Sequence, residues 1–179
     1  HNYSADGDEV LITDWHWGAY DSLIDYPNRR VASFQFLTDD GHFNVDAFRE
    51  KVEDILSRQK NIVIILNGVA NNPTGYCMSV EEWQAAVDVL KHTVEGKDKN
   101  AVLIPDVAYL DYSGEKQECR RFFKVFGGLP KNILTIVAYT LSKGFTLYGQ
   151  RQGAMIGITS DADVAKEFVD INQYALSLI

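Results

Sequence analysis

The sequence has few cysteines, no long apolar run and fewer basic than acidic residues. Cys77 and Cys119 are the two cysteines among 179 residues, and they lack the paired spacing of a structural metal site. Neither a secretory signal peptide nor an apolar stretch long enough to cross a membrane is visible. These features predict a reducing, cytoplasmic location and no membrane partner.

The charge balance argues against a nucleic-acid partner. The chain carries 17 lysines and arginines against 25 aspartates and glutamates, a formal net charge of -8. A protein that binds a phosphate backbone needs a basic face.

The histidines lack the i, i+4 spacing that pairs two imidazoles on one helix, so no metal site is predicted. They are His1, His16, His42 and His92.

Short β-rich runs alternate with amphipathic stretches, which predicts an α/β fold with helices on the faces of a sheet. With 46% hydrophobic residues the chain can bury one substantial core, so residues 1–179 are expected to form a single domain. The predicted strands cover residues 9–13, 30–36, 62–66, 101–104, 133–138 and 154–158. Helices are predicted at residues 17–24, 44–59, 79–90 and 117–125, and from about residue 161 onward. The third of these begins with a capping box at 79–82, and the fourth is predicted to be polar.

The last predicted strand should run against its neighbours. About ten residues separate Lys143 from the apolar run at 154–158, and no helix is predicted between them. A parallel crossover needs about a dozen residues or more. The sheet is therefore predicted to be mostly parallel with one antiparallel strand, a geometry that would bring Arg151 back beside Lys143.

Three predicted buried strands are each followed by a polar residue with useful chemistry. Asn72 comes after the strand at 62–66, Asp106 after 101–104 and Lys143 after 133–138. In an open α/β sheet, ligands bind outside the carboxyl ends of the strands. These positions therefore predict one ligand site at that edge.

The segment 140–151 indicates which ligand such a site would take. Lys143 and Arg151 lie eight residues apart among hydroxyls and glycines. A lysine amine can form a Schiff base with a carbonyl, and an arginine fork grips phosphate oxygens. A phosphorylated aldehyde such as pyridoxal phosphate needs both groups. Taken alone, such a pair is more often two solvated cations on a surface loop, so the other segments have to support this interpretation.

Three segments, in this order, resemble the fold-type I, class I and II aminotransferases, above all their aspartate and aromatic amino acid branch. They are Asn71-Asn72-Pro73-Thr74-Gly75, then Asp106-Val107-Ala108-Tyr109, then Ser142-Lys143 with Arg151 beyond it. The resemblance implies pyridoxal 5'-phosphate (PLP) as cofactor and a three-layer α/β/α domain with a mostly parallel sheet. It also implies an amino acid and a 2-oxo acid as substrates and a homodimer at full length.

The resemblance assigns catalytic roles to three residues. Lys143 would bind the cofactor covalently and later act as general base, and Asp106 would keep the ring nitrogen protonated. Tyr109, together with Asn72, would contact the phenolic oxygen of the ring. The structural alternatives are a helix cap or turn for Asp106 and simple packing for Tyr109.

The other implied contacts hold the phosphate and the ring. Thr140 and Arg151, with Ser142 as a further candidate, resemble the phosphate ligands. Trp17 resembles the aromatic residue that stacks on the ring, and Trp15 is the alternative because the flanking residues depart from the family pattern. The competing interpretation is that both tryptophans pack in a core cluster at the start of a helix.

The resemblance covers only the middle of the family's sequence. It implies that residues 1–179 are the central cofactor-binding segment of the large domain, without the small domain and the N-terminal part. Such a segment is expected to be a poor transaminase by itself. Two other functions remain open: a PLP-sensing domain of a transcription regulator, which a preceding basic DNA-binding domain would reveal, and a PLP-dependent carbon–sulfur lyase.

Overall fold

The computed structural model describes residues 2–26 and 28–176 of the chain. Its strands are β1 (Glu9–Thr13), β2 (Arg30–Phe34), β3 (Asn61–Leu66), β4 (Asn100–Pro105), β5 (Ile133–Thr140) and β6 (Gly153–Ile158). They form one six-stranded sheet in the order β2-β1-β3-β4-β5-β6. Neighbouring strands are parallel except β5 and β6, which are antiparallel. The predicted α/β class with one antiparallel strand is therefore confirmed.

Helices cover both faces of this sheet. The α-helices are α1 (Ala19–Asp25), α2 (Val45–Arg58), α3 (Val80–Val94), α4 (Leu141–Gly144) and α5 (Ala162–Leu176). Short 3-10 helices occupy Leu110–Tyr112, Glu118–Phe126 and Tyr148–Gln150.

Alternate strand residues supply two separate cores, because successive side chains of a strand point to opposite faces. On β1, Leu11 joins the core that α2, α3 and the 3-10 helix Glu118–Phe126 cover. Its neighbours Val10 and Ile12 join a second core with α1, against which α5 packs. The result is the three-layer α/β/α architecture that the resemblance implied.

Two of the long helices begin at side-chain caps. The Asn44 side chain accepts a hydrogen bond from the Ala47 amide at 3.1 Å, which satisfies a free donor of α2. At α3, Ser79 Oγ accepts from the Glu82 amide at 3.1 Å and Glu82 Oε2 accepts from the Ser79 amide at 2.8 Å. The predicted capping box is therefore confirmed.

The structure corrects four details of the sequence prediction. The connection after β5 does contain a helix, the single turn α4, which Thr140 initiates by accepting a hydrogen bond from the Ser142 amide. The segment near 117–125 is a 3-10 helix and is amphipathic rather than polar, because Phe122 and Phe126 are buried in the core. Strand β2 ends at Phe34, two residues early, and α1 begins at Ala19 rather than at Trp17.

The pairing of β3 with β4 brings the functional segments together. The two strands stay in register from Asn61–Asn100 to Leu66–Pro105, so they end side by side. The residue after β4, Asp106, forms a parallel bridge with Ala138 of β5. Three loops therefore leave the sheet at one edge. Among the described residues, no helix is both long and apolar enough to cross a membrane.

Candidate functional site

A cavity of about 310 Å³ lies at the carboxyl ends of β3, β4 and β5. This volume is at the lower end of the ~300–1,000 Å³ that small-molecule sites occupy. All of the sequence-predicted site residues line it: Trp17, Asn72, Asp106, Tyr109, Thr140, Ser142, Lys143 and Arg151. Asn67, Ala108, Ala138, Tyr139 and Tyr148 complete the lining, and Trp15 is not part of it.

Lys143 lies between two aromatic rings. Its Nζ atom is 5.4 Å from the ring centre of Tyr109 and 5.0 Å from that of Tyr148. A cation over an aromatic face is attracted by the negative charge of that face. Within the described residues, Lys143 forms no ion pair with a carboxylate. The amine is therefore held by the rings and not by an acid, and it lies in the cavity wall.

Arg151 lines the same cavity as Lys143. Its Cζ atom is 5.4 Å from the ring centre of Tyr148, so Lys143 and Arg151 both contact one tyrosine. The backbone of Arg151 is left-handed, with φ of 52°, and its Nη1 donates to the Tyr148 carbonyl at 3.0 Å. This arrangement agrees with the expectation that the antiparallel strand brings the two cations together.

The Asp106 carboxylate is held by one donor on each oxygen. Oδ1 accepts a hydrogen bond from the Ala108 amide at 2.9 Å, and Oδ2 accepts one from the Tyr20 hydroxyl. Tyr20 is 6% exposed and belongs to α1. Burial, followed by the charge of Asp106 and the hydrogen bond to it, raises the pKa of Tyr20, so the phenol stays neutral.

Asn67 connects the loop after β3 to the loop after β4. Its Oδ1 accepts from the Asn72 amide at 2.7 Å, and its Nδ2 donates to the Asp106 carbonyl at 2.9 Å. The side chain is buried, at 3% exposure. One amide thus fixes the relative positions of two predicted cofactor ligands.

The Asn72 loop is also tied to the segment before α1. The buried Asn71 side chain accepts hydrogen bonds from the amide and the hydroxyl of Thr74, and donates to the Trp15 carbonyl at 3.3 Å. The peptide bond between Asn72 and Pro73 is cis. Trp15 therefore supports this loop through its backbone.

Trp17 contributes an exposed ring to the cavity. Its indole is 49% exposed and meets Tyr20 edge-on, with ring centres 5.8 Å apart at 80°. Because about half of the Trp17 surface is exposed, part of the ring remains free for stacking. Of the two candidates named from the sequence, it is Trp17 that faces the cavity.

The turn that carries Lys143 packs tightly against the 3-10 helix Leu110–Tyr112. The Tyr112 hydroxyl donates to the Lys143 carbonyl at 2.8 Å. Asp111 accepts from Tyr139 at 2.7 Å and from Arg120 at 2.8 Å. Its carboxylate lies so close to Gly144 that no Cβ would fit there without a shift. A side chain at position 144 would therefore force the Asp111 side chain to move.

Two features of this site escaped the sequence analysis. Asn67 could have been recognised as a polar residue directly after an aliphatic strand, in the same way as Asp106. Tyr20 gave no such signal, because it lies 86 residues from Asp106 in the chain.

The lining carries more positive than negative charge. Lys143 and Arg151 oppose the single carboxylate Asp106 among the residues that line the cavity, although the whole chain has a net charge of -8. Such a lining suits a ligand with an anionic group. In residues 2–26 and 28–176, no cluster of three or more potential ligands is arranged to hold a metal ion; His1 lies outside the described residues.

Comparison with known proteins identifies the family to which the chain belongs. Residues 3–176 match the family model described as aminotransferase class I and II. The chain is 28% identical over 160 residues to the mitochondrial aspartate aminotransferase P2 of Lupinus angustifolius, covering 89% of this chain and 33% of that protein. It is 25% identical over 158 residues to an aromatic-amino-acid aminotransferase of Pseudomonas aeruginosa, covering 88% of this chain and 37% of that protein.

Solved structures agree with this similarity. An aminotransferase of Anaerococcus prevotii superposes with a TM-score of 0.92 at 38% identity, over 94% of this chain and 41% of that one. An aromatic-amino-acid aminotransferase of Burkholderia pseudomallei, with pyridoxal phosphate covalently bound, gives a TM-score of 0.74 at 23% identity. The match covers 92% of this chain and 39% of that one, and it supports the fold alone. The chain spans about a third of the length of the curated relatives it matches.

Proposed function

Because the chain belongs to the class I and II aminotransferase family, we propose that its cavity binds pyridoxal 5'-phosphate and serves amino-group transfer from an amino acid to a 2-oxo acid. One observation carries the proposal. The amine, carboxylate, guanidinium, indole and hydroxyls that were selected from the sequence all line a single cavity.

The residues present fit this cofactor. A phosphate is bound well by a guanidinium and hydroxyl donors, and Arg151, Thr140 and Ser142 offer these groups in the cavity lining. A protonated ring nitrogen requires a carboxylate, and Asp106 is the one acid in the lining. The exposed part of the Trp17 ring is available for stacking. When bound, the cofactor supplies an electron sink for the carbanion that forms at the carbon bearing the amino group.

The proposed roles follow from the chemistry of each side chain. Nζ of Lys143 is the covalent attachment point, and after its release it accepts the proton from the α-carbon of the amino acid. The ionised carboxylate of Asp106 favours the protonated ring nitrogen through its opposite charge. Asn72 and Tyr109 offer an amide and a phenol to the ring's phenolic oxygen.

The relatives support an amino-group transferase over the two alternatives. The two curated relatives reported above are an aspartate and an aromatic-amino-acid aminotransferase, and neither is a carbon–sulfur lyase or a regulator. They support aspartate or an aromatic amino acid as the donor substrate. A homodimer is part of the proposal by family resemblance, and a reducing, cytoplasmic location is part of it because the chain has few cysteines.

The proposal is tested by an amino-transfer assay of the protein that carries this chain. With added PLP and 2-oxoglutarate, we expect glutamate to form from aspartate or tyrosine. Lys143→Arg should abolish this activity, because a guanidinium neither attaches to the aldehyde nor accepts the proton. The matched control Lys97→Arg changes an exposed lysine outside the cavity and should be neutral. Undiminished turnover in Lys143→Arg would contradict the proposal, and pyruvate release from an S-substituted cysteine without an oxo acid would favour the lyase.

A further inference from the structure

Tyr20 is a buried residue that contacts two members of the proposed cofactor site. Its hydroxyl donates to Asp106 Oδ2, and its ring meets Trp17 edge-on at 5.8 Å. Its ring also stacks on His16, with ring centres 6.3 Å apart and planes 13° apart. These three contacts hold the Tyr20 side chain in position beside Asp106 and Trp17.

We infer that Tyr20 is a positioning residue, which orients the Asp106 carboxylate toward the cofactor's ring nitrogen and braces Trp17 in the cavity lining. The inference rests on the proposed function, because it concerns the same cavity. It adds to that function a residue which would not itself touch the cofactor.

The hydrogen bonds of Asp106 explain how Tyr20 would act. Each carboxylate oxygen has two acceptor positions. The Ala108 amide uses one position on Oδ1 and the Tyr20 hydroxyl one on Oδ2, so the plane of the carboxylate is fixed and acceptor positions remain for a ligand. Removing the hydroxyl leaves Oδ2 without its donor, and the carboxylate can turn away from the productive orientation.

The neutrality of Tyr20 is part of this argument. Burial, followed by the negative charge of Asp106, raises the pKa of the phenol, so that Tyr20 donates without adding a charge. A neutral donor brings no positive charge next to the Asp106 carboxylate, so it does not compensate the negative charge of that carboxylate. That charge then remains available to the ring nitrogen of the ligand.

Tyr76 provides a matched control for Tyr20. Its hydroxyl also donates to a carboxylate, Glu82 Oε1, at 2.6 Å, and it lies outside the cavity lining. Burial, followed by the hydrogen bond to Glu82, raises the pKa of Tyr76 to about 12. A comparison of the two tyrosines separates an effect on the site from the general loss of a tyrosine–carboxylate bond.

The first measurement needs no cofactor. In protein labelled with ¹³C at tyrosine Cζ, Asp106→Asn should shift the Tyr20 resonance and leave Tyr76 unchanged. Glu82→Gln should do the reverse. An unchanged Tyr20 resonance in Asp106→Asn would overturn the inference, because Tyr20 and Asp106 would then not be coupled.

The second measurement compares the dissociation constants of PLP and of an analogue with carbon in place of the ring nitrogen. Tyr20→Phe keeps the aromatic contact with Trp17 and removes only the hydroxyl. It should weaken PLP binding about tenfold, equivalent to about 1.4 kcal/mol, and leave analogue binding unchanged. Tyr20→Leu also removes the ring and should weaken both ligands, whereas Tyr76→Phe should weaken neither.

The outcomes distinguish this inference from the proposed function. If Tyr20→Phe weakens PLP and the analogue equally, or weakens neither, the positioning role of Tyr20 is wrong while the cofactor site stands. If the wild-type protein binds no PLP at all, the proposed function is wrong, and the role inferred for Tyr20 is wrong as well.

Discussion

Replacing Asn67 with alanine should disconnect the two loops that carry Asn72 and Asp106. Asn67 is 3% exposed, and the change removes hydrogen bonds of 2.7 and 2.9 Å. A buried polar group left without its partner costs about 1–3 kcal/mol, so two such groups give roughly 2–4 kcal/mol after some relaxation. For a domain of this size, the melting temperature should fall by roughly 5–15 °C.

The functional effect of Asn67→Ala should exceed its effect on stability. Asn100 is the matched control, because its Nδ2 donates to Asn61 Oδ1 at 2.8 Å and joins the same two strands at their opposite ends. Asn100→Ala should lower the melting temperature by a few degrees and leave PLP affinity unchanged. Asn67→Ala should weaken PLP binding roughly tenfold, since two ligand-bearing loops lose their common anchor.

A third variant separates the two hydrogen bonds of Asn67. Asn67→Asp keeps an acceptor for the Asn72 amide but places a carboxylate against the Asp106 carbonyl, which should weaken PLP binding as well. Thermal unfolding and a PLP titration of the three variants provide the test. If Asn67→Ala and Asn100→Ala bind PLP equally well, Asn67 does not organise the site.

Three further predictions concern other parts of the structure. Gly144→Ala should destabilise the protein by about 1–3 kcal/mol, because its Cβ would overlap the Asp111 carboxylate, and Asp111→Ala in the same chain should restore part of the loss in thermal melts. Arg151→Ala should increase the PLP dissociation constant about tenfold through loss of a charge-assisted phosphate contact, whereas Arg121→Ala, an exposed arginine paired with Glu118, should leave it unchanged. Burial raises the pKa of Glu82, but hydrogen bonds from Tyr76, Phe43 and Ser79 lower it more, so the net pKa lies below its usual value. The stability from its ionised form is therefore present above about pH 4.3 and lost as the pH falls through the folded pKa, so Glu82→Gln should be less stable than wild type at neutral pH and converge with it in acid.

Much of the fold follows from local patterns. Continuous aliphatic runs identified β3, β4 and β5, and the spacing of apolar residues identified α2. The short connection after Lys143 correctly predicted the antiparallel β6. The same connection concealed α4, because a single turn has no periodicity and is initiated only by the hydroxyl of Thr140.

The site was predictable where the chemistry lies directly at a strand end. Asp106 and Lys143 follow their strands closely, so the topology of the sheet brings them together. The supporting residues could not be found in this way. Tyr20 meets Asp106 only through the packing of α1 on the sheet, and the Asp111–Gly144 contact depends on how two loops fold. Such contacts depend on tertiary packing, which cannot be recognised from a local sequence pattern.

The most direct test of the proposed function is the location of the covalent cofactor. The protein that carries this chain should be incubated with PLP, reduced with borohydride, digested and analysed by peptide mass spectrometry. We predict a single phosphopyridoxyl group on Lys143, the lysine in the cavity wall, and its loss in Lys143→Arg. A stable modification on Lys97 or Lys131 instead, or none at all, would contradict the proposed function.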